Sequence, residues 1–108
     1  MVRLELVIGE EVVPFAVADE VLAGAETFFR HIDRDMDRGW QMSREFVASP
    51  DRLQRCQIVA DRLLDSLTTG NEATAMLMAG YIALRMPGAV GVDIDAAGEM
   101  QNTELLYT

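Results

Sequence analysis

The stretch EATAMLMAGYIALR, Glu72 to Arg85, decides the fold. Between its terminal charges lie twelve residues, Ala73 to Leu84, the longest uncharged run in the chain. A membrane-spanning helix needs about 20 apolar residues, so this one is a candidate for burial in protein. A helix that is apolar nearly all round is either central or covered by another subunit. The segment predicts a helix over 72–86, ended by Pro87 and Gly88. Ala75, Ala79 and Ala83 line one side at spacings of four, with Gly80 beside them, and Leu77, Tyr81 and Leu84 lie opposite. Small residues so spaced let another backbone come close. That makes Ala75, Ala79 and Ala83 the candidate interface of a homodimer.

Working outward, a helix is predicted over 50–68, with Ser49 as cap, Pro50 in the first helical place and Leu53, Cys56, Ala60, Leu63 and Leu67 on its buried face. Thr68-Thr69-Gly70-Asn71 ends it and caps the next helix, a link short enough for antiparallel packing. Upstream, Val21, Ala25, Phe28, Ile32 and Met36 make a helical stripe within a helix over 19–39, capped by Asp19 and stopped by Gly39. Residues 41–48 read either as a continuation after a kink or as a connecting turn. At the N-terminus Val2, Leu4, Leu6 and Ile8 alternate with polar neighbours. Gly9-Glu10 then suits a hairpin turn, and Pro14 confines the return strand of a 1–16 hairpin to a sheet edge. Val90, Val92 and Ile94 alternate again, predicting a strand over 89–96.

The expected architecture is therefore mainly α with a minor β component. Three helices pack around the apolar third one in a single domain over 1–108, with the hairpin and the last strand alongside.

Charge narrows the function. Eighteen Asp and Glu oppose nine Arg, with no Lys, for a net charge of −9. Such a chain repels phosphate backbones and anionic membrane surfaces, so neither nucleic acid nor membrane is an expected partner. The absence of Lys removes Schiff-base chemistry and the lysine of a phosphate loop. A single Cys56 cannot close an internal disulfide, and five acids in the first twenty residues do not suit a secretion signal. The expected location is the cytoplasm.

Two stretches carry chemistry worth weighing. In VDIDAAGEMQNTEL, Val92 to Leu105, acids stand at Asp93 and Asp95, Gly98 is sixth counting from Asp93, Met100 eighth and Glu104 twelfth. This resembles the calcium loop of the EF-hand family. The resemblance implies a calcium ligand set of Asp93, Asp95 and Glu104, with the Glu99 carbonyl added. Ala97 departs from the pattern at the fifth place, and the flanking residues suit a strand rather than a helix. Read as a strand, the same residues turn Val92 and Ile94 to the core and Asp93 and Asp95 to water. That is the reading the alternation favours.

A weaker echo spans Asp33, Asp35, Asp37 and Glu45, with Arg38 where Gly belongs and Glu45 thirteenth. On a helix, Arg30, Asp33, Arg34, Asp37 and Arg38 instead form opposite-charge pairs three or four apart. The apolar stripe running through to Met36 favours the helix.

His31, the only His, lies four residues before Asp35, and no second His exists to complete a histidine metal site. Cys56 reads as a core thiol. With no catalytic constellation in view, the expected function is a small acidic accessory domain. It is non-catalytic and homodimeric, needs no cofactor, and engages an unidentified protein partner. The alternative is a divalent-cation module using Asp93, Asp95 and Glu104.

Overall fold

In the computed structural model, which describes residues 1–108, the N-terminal alternation forms β1 (Val2–Ile8) and β2 (Glu11–Val17). Gly9 turns between them at φ +63, a conformation that favours glycine. Then come α1 (Asp19–Gly24), α2 (Glu26–Asp37), β3 (Trp40–Met42), β4 (Glu45–Val47), α3 (Arg52–Thr68) and α4 (Glu72–Arg85). The chain ends with β5 (Gly91–Asp93), a single 3-10 turn at Met100–Asn102, and β6 (Glu104–Leu106).

The expectation of a mainly α fold is corrected. The fold is α+β, 48% helical and 24% strand, with a four-stranded and a two-stranded sheet. The larger sheet has the order β2-β1-β5-β6, with β1 parallel to β5 and the other pairs antiparallel. The hairpin is therefore half of a sheet whose other half arrives some eighty residues later. The strand expected over 89–96 forms as the three-residue β5; β6, also three residues, is too short for alternation to register and was expected neither as a strand nor as the closing edge. Pro14 does lie on an outermost strand, where its missing N–H breaks no ladder.

α4 is the hub. It packs along α3, under α1, and onto β1 and β2. Ala75, Met78, Ala79, Tyr81 and Ile82 are fully buried beside Leu4 and Leu6 of β1 and Val92 of β5. Gly80 lets α1 and α2 approach: a Cβ there would stand 3.0 Å from Leu22 Cδ2 and 3.3 Å from Phe29 Cζ. No helix is long and apolar enough to cross a membrane.

Local departures from the expected elements have local causes. The helix expected over 19–39 breaks at Ala25, where φ −101 and ψ 0 leave the helical range, so α1 and α2 are separate. Ala25, Ile32 and Met36 of the expected stripe are buried, but Phe29 takes the place expected of Phe28, which is exposed. α3 is capped by Asp51, not Ser49. The Asp51 carboxylate accepts from Gln54 N at 2.8 Å and Asp51 N donates to Gln54 Oε1 at 2.9 Å, a reciprocal capping box. Residues 41–48 are neither helix nor simple turn but the β3–β4 hairpin. Its tip residue Ser43, at φ +58, donates from Oγ to Gly98 O and accepts from Met100 N, pinning the hairpin to the loop before β6.

Candidate functional site

The densest polar constellation lies where α2, α3 and α4 meet. Asp33 of α2 stands four residues after the buried Phe29 and three before the buried Met36, and so lies at the margin of the core. Its Oδ1 accepts from the Tyr81 hydroxyl and from Arg55 Nη1 at 3.3 Å; its Oδ2 accepts from Arg85 Nη2 at 2.9 Å and Nε at 3.2 Å. Arg55 also donates to Asp37 at 2.6 Å and to the Pro50 carbonyl at 2.9 Å. Arg85 lies over the Tyr81 ring, 5.1 Å from its centroid, and reaches Glu26 at 3.5 Å. Burial by itself would raise the Asp33 pKa. The hydrogen bonds from Tyr81, Arg85 and Arg55 overcome that and hold the carboxyl below its ordinary value. Tyr81 is pushed up, by burial first and then by the adjoining carboxylate.

Every strong donor and acceptor here has a partner within the chain, and no buried side-chain polar atom anywhere is left without one. This cluster ties three helices together. Asp33 was expected to pair with helical neighbours or to sit in an ion loop. Its true partners lie 22, 48 and 52 residues away, and Arg30 pairs with Glu26 instead. The only trace in the sequence is a set of charges set singly at the margins of apolar stripes.

The proposed calcium ligands are placed differently. Asp93 of β5 and Glu104 of β6 are register partners on the sheet face turned away from the helices, and both are exposed. The Asp95 Oδ2 accepts from Ala97 N at 3.1 Å and Glu99 N at 2.8 Å, closing the turn that follows β5. The three border one open groove with Gly9 and Asn102, yet no three Asp, Glu, His or Cys side chains converge as a metal ligand set. Strands flank the loop on both sides, where the EF-hand pattern has helices. In the second echo, Asp33, Asp35 and Asp37 are all on α2, and Glu45 is on β4.

Ala75 and Ala79 are fully buried inside the single chain, against its own elements, so no second copy can reach them. Ala83 is only partly covered. His31 is exposed on α2. Cys56 is fully buried, and its thiol is pushed up to about 12, chiefly by burial and further by Asp33. An unreactive thiol is what that environment produces.

A further surface emerges only in three dimensions. Along the outer edge of β6, Leu53 and Gln57 of α3, Met86 after α4, and Gln101, Leu105 and Tyr107 line a shallow groove of about 480 Å³. Leu53 is 43% exposed and Tyr107 56%. Gln57 is buried at the groove floor, where its Nε2 donates to the carbonyls of Gln101 and Thr103 at 3.1 and 3.0 Å. Nothing in the sequence brings Leu53 and Tyr107 together, because only the pairing of β6 with β5 does so. Comparison with protein-family models, with curated proteins and with solved structures gives no match to this chain.

Proposed function

We propose that the chain is a non-catalytic domain that holds a protein partner. The observation that carries this is the groove beside β6, where large apolar side chains stand in water along a strand with no further neighbour. Exposed apolar surface of this kind, rimmed by polar groups, is characteristic of interaction sites. The polar groups nearest the core, Asp33, Arg55, Arg85 and the neutral Tyr81 hydroxyl, partner one another and so serve the fold. Capture of partners on the tagged chain, followed by reconstitution with each purified candidate, tests the reading. A stoichiometric complex that survives purification supports it. Failure of every candidate to rebind, with turnover of a small molecule by the pure chain, contradicts it.

A further inference from the structure

We infer that the free edge of β6 takes an extended peptide segment in which apolar residues alternate with Lys or Arg, adding a fifth strand to the sheet. The inference rests on the interaction-domain reading and names the partner's chemistry. β6 is outermost in the order β2-β1-β5-β6, so its side away from β5 meets no strand. Edge strands left open in this way are templates for strand addition, and proteins guard them by keeping them short, by Pro or by inward charge; β6, at three residues, has the first of these alone. The opposite edge, β2, carries Pro14 in its middle; β6, Glu104-Leu105-Leu106, carries no Pro and turns no charge toward the helices.

The pleat dictates the pattern of the occupant. Leu105 shares a row with Val92 and Leu6 and faces the helix layer, whereas Glu104 shares a row with Asp93 and Val7 on the other face. An added strand continues both rows. Its inward residues enter the groove of Leu53, Met86, Leu105 and Tyr107, which calls for apolar side chains. Its outward residues lie beside Glu104. Asp93 and Glu104 are like charges directly opposite each other, an arrangement that disfavours the strand pair. Neither carboxylate has an ion-pair partner in the chain. A Lys or Arg on the incoming strand supplies one. Glu45, held near the groove by Gln101 at 3.2 Å, adds a third negative charge. A second copy would instead bring its own Glu104 and another net charge of −9 to the same edge, which favours a basic partner.

The test uses a fluorescein-labelled nine-residue peptide of alternating Val and Lys, its Val–Glu counterpart, and the full chain, read by fluorescence anisotropy. Saturable, salt-sensitive binding of the Val–Lys peptide alone is expected. Leu53→Gln and Glu104→Lys, both at exposed positions and checked for folding by circular dichroism, each weaken it about tenfold, and Val12→Gln on the opposite edge leaves it unchanged. Equal binding of the Val–Glu peptide overturns the inference, as does affinity unmoved by both variants or no binding at millimolar peptide. Self-association abolished by Leu53→Gln, without peptide binding, assigns the edge to a second copy and also overturns it. A reconstituted partner complex broken by Phe28→Gln or Leu84→Gln, but not by Leu53→Gln, overturns the edge while leaving the interaction-domain reading standing.

Discussion

Replacing Asp33 by Asn preserves the side chain's shape and removes its charge. In the native chain that charge faces Arg55 and Arg85, whose side chains are only 18% and 25% exposed, and accepts a hydrogen bond from the Tyr81 hydroxyl. Removing one member of a buried ion pair costs about 3–5 kcal/mol, because the remaining charge is left desolvated. Two features reduce that figure here. About a quarter of the Asp33 and Arg85 side chains is wet, and both arginines keep a second acid, Asp37 at 2.6 Å and Glu26 at 3.5 Å. A loss of about 2 kcal/mol follows, a large part of the roughly 5–15 kcal/mol that stabilises a domain.

Urea unfolding followed by circular dichroism at neutral pH measures that loss, and Arg85→Gln alone and combined with Asp33→Asn completes a double-mutant cycle. The pair should be non-additive, the double variant losing less than the sum. The effect also has a sign in pH. The folded-state pKa of Asp33 lies below its ordinary 3.8, so the unfolded chain takes up the proton first on acidification. The stabilisation is complete above 3.8 and is lost as the pH falls from there through the lower folded-state value. Wild type and Asp33→Asn should therefore converge in acid. A loss under about 0.5 kcal/mol, within the range of ordinary surface substitutions, would refute the reasoning.

Gly91→Ala should destabilise by about 1–3 kcal/mol in the same assay, because its Cβ would stand 2.8 Å from the Glu5 carbonyl oxygen, a backbone atom that cannot swing aside. Asp61→Asn should stabilise by a few tenths of a kcal/mol at neutral pH: burial raises its pKa first, with Asp65 and Asp95 adding to it, so the folded chain favours the neutral form. That advantage should vanish as acidification protonates Asp61 in the folded chain. Cys56 should resist a disulfide reagent in the native chain and react fully in urea, since its buried thiol titrates at about 12; rapid native labelling would contradict its placement.

The helical half of this fold was legible because its signals are local. Asn71 caps α4, its side chain accepting from Thr74 N at 3.1 Å; Gly70 turns at φ +77; and the uncharged run is buried as its composition requires. Even the misplaced cap of α3 was written in the sequence, as Asp51 and Gln54 three residues apart. The sheet was legible only in part: the β1–β2 hairpin and the strand after α4 announce themselves by alternation, at Val2, Leu4, Leu6 and Ile8 and again at Val90, Val92 and Ile94. The order of the sheet was hidden, because β6 and the docking of β5 against β1 depend on partners distant in sequence. The clamp around Asp33 and the groove beside Leu53 are hidden for the same reason. Both assemble from helices and strand ends whose meeting is a property of packing. The acids from Asp93 to Glu104, conspicuous as a pattern, lie on a strand, a turn and another strand that do not gather them.

The most direct measurement is amide chemical-shift mapping of the labelled chain during titration with the Val–Lys peptide. Shifts concentrated at Leu53, Gln57, Met86 and residues 101–107 are predicted, with the amides of β2 unmoved. Shifts centred instead on Phe28, Met76 and Leu84, or none at saturating peptide, would contradict the assignment of this strand edge as the docking surface.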